Sequence, residues 1–213
     1  MMSLIKKIRP VFSISYHSYS EIVIYPYGCA DSHVPTKEVV ENIGKEMASL
    51  IVSDDHSSHY TSGTAPDLLY SVDGGDIDWM YHEYQVIPFL IEVNSDSQGF
   101  QPAYKIWRDQ TVARVKPGWQ HLLDKLDGSS IHGQVKDAKG VAIANAALHL
   151  ERISGGAAFV QDYPAQENGY FDVIVPPGQY KVSASASGFA TQVQSQSVGA
   201  VRTELSLTLA RTK

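Results

Sequence analysis

The chain has 213 residues, 43% of them apolar and 19% charged, with a formal net charge of −6. That length and apolar content allow one large or two modest domains with a buried core, and they exclude a disordered polar chain. An acidic balance with no Lys/Arg-rich block excludes a nucleic-acid surface. No apolar run reaches membrane-spanning length, and the single cysteine, Cys29, excludes both an internal disulfide and a cysteine-built zinc cage.

The N-terminal "MMSLIKKIRP" lacks a long apolar core and a small-residue cleavage site, so it does not read as a signal peptide. It reads as the tail of a helix stopped by Pro10. "VFSISY" and "IVIYPY" read as strands. "TKEVVENIGKEMASLIVSD" places Val39, Val40, Ile43, Met47 and Ile51 at helical spacing, with Thr36 as its N-cap. "VIPFLIEV" is the continuous apolar run of a strand buried on both faces, and "KPGWQHLLDKL" reads as a short closing helix.

Beyond "LDGSS" the pattern changes to short alternating segments. They are broken by Gly, Pro-Pro-Gly and Asp/Lys-Gly turns, which is the pattern of an all-β sandwich of about seven strands. The boundary falls at Asp127 to Ser129, giving an α/β domain over 1–127 and a sandwich over 129–213. Phe159, Tyr163, Tyr170, Phe171 and Tyr180 fit core positions at period two.

Three features of the first half carry chemistry. His17 ends an alternating strand, where ligands collect in open α/β sheets and where imidazole presents a nitrogen to a metal. "YSVDGGDIDWMY" is a Gly-Gly loop with an exposed tyrosine, Tyr70, leading into an aromatic helix or turn. Glu92 is the only charge in "VIPFLIEVN". A carboxylate ending an apolar strand must be paired, metal-bound or hydrogen-bonded, and burial raises its pKa toward the range of a general base.

Taken together, "HSYSEIVIYPYG" and "YSVDGGDIDWMYHEYQVIPFLIEVN" resemble the metal-ligand and catalytic segments of the M14, carboxypeptidase A-type zinc metallocarboxypeptidases. The twenty-two positions from Tyr70 to Glu92 match the family's interval. The resemblance covers roughly residues 1–127. It implies a partial mixed-sheet zinc carboxypeptidase domain and Zn2+ as cofactor, with His17 as one zinc ligand and Glu92 as the general base. It further implies that Tyr70 closes over the substrate, that Ser18 and Tyr19 lie beside the upstream subsites, and that Ile77 floors the pocket for the C-terminal side chain. Asp73 and Asp76 lie on the same loop and could draw a basic side chain, so neutral or mixed C-terminal residues are expected. Cis peptides are implied at Ser18–Tyr19 and Pro26–Tyr27. The second half resembles the transthyretin-like, carboxypeptidase regulatory-like β-sandwich through "DAKG", "IANAAL", "NGYF", "PPGQYKV" and "SGF".

The family's His-x-x-Glu zinc ligands and its arginines for the substrate carboxylate have no match in this chain. His56 and His59 lie in a polar loop, and His121 with Asp124 lies in the closing helix. The expectation is therefore a chain that starts in mid-domain, inactive alone, and self-associating through an incomplete sheet. Its partners are expected to be peptide or protein C-termini. Two other readings stand beside the peptidase: a non-catalytic peptide- or protein-binding fragment, and a hydrolase of cell-wall or γ-glutamyl peptide amide bonds. The family implies a periplasmic or secreted location.

Overall fold

The computed structural model describes residues 2–212. In chain order the elements are α1 (Met2–Ile8), β1 (Phe12–Ser18), β2 (Ile22–Ile24), α2 (Lys37–Leu50), β3 (Thr61–Gly63), α3 (Ala65–Leu68), α4 (Asp76–Tyr84), β4 (Ile87–Val93) and α5 (Tyr104–Leu126). Seven strands follow: β5 (Ser130–Asp137), β6 (Ala147–Ser154), β7 (Val160–Pro164), β8 (Tyr170–Ile174), β9 (Gly178–Ser185), β10 (Gln192–Val198) and β11 (Arg202–Leu209). They fall into two compact units. One is residues 12–124; the other joins the residues up to Val11 with those from Lys125 onward.

The first unit is α/β, built on a mixed four-stranded sheet in the order β1-β4-β2-β3. β1 runs parallel to β4, β2 antiparallel to β4, and β3 parallel to β2. β4 is the expected strand covered on both faces, with Ile87, Phe89 and Ile91 buried on one and Pro88 buried and Leu90 half-buried on the other. α2 buries Val39, Val40, Ile43 and Met47, the residues that set its helical period.

Two expectations are corrected. Thr36 stands at the N-cap position of α2 but makes no side-chain cap. Its hydroxyl is instead held 2.5 Å from the Tyr81 phenol in a buried pair, so a stronger buried partner takes the oxygen that a cap would use. The closing helix is also not short. α5 runs for 23 residues through Pro117, which removes one backbone hydrogen bond from the helix interior. The helix persists because Val115, Gly118 and Leu122 are buried along one side. Gly118 lies so close to Ile51 that a Cβ would meet the Ile51 Cδ1 at 2.8 Å.

The second unit is the expected β-sandwich. Its sheets run β10-β9-β6-β7 and β11-β5-β8. Period two puts Ile131 and Val135, Leu148 and Leu150, Tyr180 and Val182, and Leu205 and Leu207 inside. Phe159, Tyr163 and Phe171 join them, whereas Tyr170 is only half-buried and donates its hydroxyl to Asp172 Oδ2 at 3.1 Å. Arg9, just past α1, is buried in this unit. Its guanidinium donates to the Pro164 carbonyl at 3.1 Å and to Asn145 Oδ1 at 2.7 Å.

Candidate active site

The site residues come from β1, β4 and the loops around them. Parallel pairing in continuous register sets His17 opposite Glu92 and Ser18 opposite Val93. Both residues of the first pair stand one position from the carboxyl end of their strand, where open sheets gather ligands. The His17 ring is exposed and its Nε2 lies 3.1 Å from Ser15 Oγ. Glu92 is half-buried, and its Oε2 is enclosed with no hydrogen-bond partner among the described residues. Burial pushes its carboxyl above the usual carboxylate range, while the nearby His17 pulls it back.

Beside the pair lies a cleft of about 400 Å³, walled by Tyr16, His17 and Ser18 on one side and by Val93, Asn94, Phe100 and Pro102 on the other. Ser18 Oγ donates to the Phe100 carbonyl at 2.9 Å, and Tyr19 is exposed next to it. The Ser18–Tyr19 and Pro26–Tyr27 peptides are both cis.

The Gly-Gly loop is tied to the turn that follows β1 and β2. Gly28 accepts from Val72 N at 2.8 Å, and its own N–H donates to Asp78 at 3.0 and 3.1 Å. No side chain fits at Gly28, because a Cβ would lie 2.3 Å from the Val72 carbonyl oxygen. Burial raises the Asp78 pKa, the Gly28 N–H lowers it, and Asp73 and Asp76 raise it further. Tyr70 is 69% exposed at the head of this loop. Asp76 is exposed at the start of α4, where its Oδ1 accepts from Ile77 N at 2.9 Å, and Ile77 itself is buried. The structure thus brings His17, Glu92 and Ser18 together. Among the described residues no hydrogen bond or ion pair joins Tyr70, Asp76 or Ile77 to that trio.

Sequence reasoning missed the polar network behind the turn after β4. Arg114 on α5 pairs with Asp54, each side chain only 7% exposed. Asp54 Oδ2 accepts from Ser95 N at 2.7 Å and from the Gln98 amide. Asn94, at φ 65°, accepts from Thr111 Oγ1 at 2.7 Å and Arg114 Nη2 at 3.2 Å, and its N–H donates to the Tyr60 hydroxyl at 3.1 Å. This network fixes the backbone two residues beyond Glu92. Nothing marked it in advance, since Asp54 sits in the polar run "SDDHSS" and Arg114 on a helix of mixed character.

A catalytic zinc site takes three protein ligands and leaves one position open. Among the described residues no three His, Cys, Asp or Glu side chains are grouped to hold a metal. His56 and His59 are exposed in their loop, and His121 Nε2 is engaged 2.9 Å from Glu46. One imidazole beside one carboxylate does not make that centre.

Residues 1–111 match the zinc carboxypeptidase family, peptidase M14, and residues 130–210 match the carboxypeptidase regulatory-like domain. Carboxypeptidase A1 of Mus musculus is 30% identical over 121 residues, 56% of this chain and 27% of that protein. Carboxypeptidase A1 of Bos taurus is 30% identical over 117 residues, 53% of this chain and 28% of that protein. A zinc carboxypeptidase of Simulium vittatum is 30% identical over 97 residues, 44% of this chain and 32% of that protein. The chain therefore spans roughly a quarter to a third of the length of these relatives. The family match takes in both strands that carry His17 and Glu92 and the whole loop between Tyr70 and Asp78, and with it the chain is placed as a member of the zinc carboxypeptidase family.

Proposed function

We propose that this chain supplies the proton-transfer part of a zinc metallocarboxypeptidase, which removes C-terminal residues from peptides. The observation that carries the reading is the pairing of His17 with Glu92 at the carboxyl ends of two parallel strands, with a carboxylate oxygen enclosed and without a hydrogen-bond partner among the described residues. The Glu92 carboxylate takes a proton from the water that adds to the terminal amide carbon. It returns that proton to the leaving nitrogen as the C–N bond breaks, giving a shortened peptide and a free amino acid. Such a proton carrier contributes about 10²–10⁴-fold in rate. His17 serves as one metal ligand, and the other ligands come from outside the described residues, so the chain alone turns over poorly or not at all. Ser18 and Tyr19 line the upstream side of the peptide cleft. Tyr70 covers the substrate, and Ile77 with Asp76 shapes the pocket for the terminal side chain.

A chimera tests this. The aligned 121 residues of the Mus musculus carboxypeptidase A1 are replaced with the matching stretch of this chain, and release of C-terminal amino acids is followed by mass spectrometry. The folded chimera should cleave, and its Glu92→Gln form should fall by the factor above. A folded chimera that leaves peptide C-termini intact contradicts the proposal.

A further inference from the structure

β1 and β4 are paired as far as Ser18 and Val93, one residue past the His17–Glu92 pair. Beyond that point both chains leave the sheet, and the ladder no longer sets how the two strand ends sit. A second group of buried bonds does so instead. The Asn94 carbonyl accepts from Ser20 N at 3.1 Å, which joins the turn leaving β1 to the turn leaving β4. Asn94 is 2% exposed and stands at φ 65°, a left-handed backbone that asparagine tolerates better than most residues. Its N–H donates to Tyr60, and its Oδ1 accepts from Thr111 and Arg114. The ion pair behind it holds both turns. Asp54, paired with Arg114, accepts from Ser95 N through its carboxylate, while its own N–H donates to Glu21 Oε1, one residue past Ser20.

We propose that Asn94, backed by Asp54 and Arg114, is a positioning residue of the site. It holds the Glu92 carboxylate at a set place relative to the His17 ring and to the cleft wall at Ser18. The inference rests on the proton-transfer role given to Glu92 above. A buried ion pair adds little net stability over an apolar pair of the same size. What such a network supplies is a fixed geometry. Here it fixes the segment that carries His17 and Ser18 against the segment that carries Glu92. Asn94 touches no reacting atom in this arrangement. It acts through the backbone of Ser20 on one side and of Val93 on the other.

Two variants separate geometry from folding. Asn94→Gly keeps the left-handed backbone without strain and deletes the Oδ1 anchor. Asn94→Asp keeps an acceptor facing Arg114. NMR on the full 213-residue chain follows amide exchange at Ser20 and nuclear Overhauser contacts between the His17 ring and the Glu92 side chain. Asn94→Gly should speed Ser20 exchange about tenfold or more and weaken those contacts, while the sandwich amides stay protected. Asn94→Asp should retain both. In the chimera described above, Asn94→Gly should lower kcat by up to about 10²-fold with KM little changed. It should cost nothing further once Glu92→Gln is present, because the group it positions is then gone. Unchanged Ser20 exchange and unchanged His17–Glu92 contacts in Asn94→Gly overturn the proposal. So does a loss of kcat that is equal with and without the Glu92 carboxylate, which marks a merely structural residue. An inactive parent chimera overturns the proton-transfer reading instead, and the full-chain NMR then decides the tie between the two turns by itself.

Discussion

Glu92 and His17 are far apart in sequence and directly opposite each other in the sheet. The carboxyl is raised by its own burial and drawn back by the imidazole beside it. Each strand alone would present an ordinary end residue. Their parallel register sets a half-buried carboxylate opposite an exposed imidazole, the pair on which the proposed proton transfer and metal ligation rest.

Glu92→Gln should separate stability from chemistry. The amide keeps the shape and removes a half-buried charge whose Oε2 has no hydrogen-bond partner among the described residues, so the unfolding midpoint should stay level or rise. Urea denaturation checks this. A clear loss of stability would mean that the carboxylate is held by a structural partner and is not poised for proton transfer.

Gly28→Ala should detach the Gly-Gly loop. The added methyl meets the Val72 carbonyl oxygen at 2.3 Å, so backbone must move and the two N–H bonds to Asp78 must lengthen. Overpacking of this kind costs about 1–3 kcal/mol. Hydrogen exchange should show Gly28 and Val72 losing protection while the sandwich is unaffected.

Arg114→Met should be among the most damaging changes outside the site. It leaves Asp54 buried without its cation, at a cost of about 3–5 kcal/mol. Adding Asp54→Leu should recover much of that loss, because both charges are then gone. A double variant as unstable as the single one would show that the Ser95 and Gln98 contacts, not the ion pair, hold the turn.

How much of this was legible depended on how local the cause was. The α2 period, the two-sided β4 and the alternating sandwich strands are set by residues within a few positions of one another, and they appear where expected. The seven-strand sandwich came from turn chemistry of the same short range. The cap at Thr36 failed because Tyr81, distant in sequence, competes for the hydroxyl. α5 is longer than the expected "KPGWQHLLDKL" segment, because the burial of Val115, Gly118 and Leu122 along one side carries the helix through Pro117. The Asp54–Arg114–Asn94 network joins three segments that no periodicity connects. At the site, residue types pointed to His17 and Glu92 separately, the family resemblance joined them in one expected site, and the β1–β4 register sets them opposite each other.

The sandwich should weaken in acid through Asp137. Its Oδ1 accepts from Val141 N at 3.0 Å and from Lys139 N at 2.9 Å in the "DAKG" turn. The Val141 N–H, first among the causes, lowers its pKa below 3.8 in the folded state, and Lys139 and Arg211 add to this. A depressed folded pKa contributes stability that is present above the unfolded pKa and lost as pH falls through the folded one. The unfolding midpoint should therefore fall as pH drops through the range below about 4. Asp137→Asn should be less stable at neutral pH and show a flatter acid limb. An unchanged acid limb in the variant would contradict the assignment.

The most direct test of the central claim is a zinc titration followed through the histidine imidazole NMR signals, beside equilibrium dialysis of wild type and His17→Ala. If His17 is one ligand of an incomplete set, added zinc shifts the His17 ring first, wild type holds well under one zinc per chain at micromolar metal, and His17→Ala loses the response. One tightly held zinc per chain would contradict the account, as would zinc shifts confined to His56 and His59 with His17 untouched.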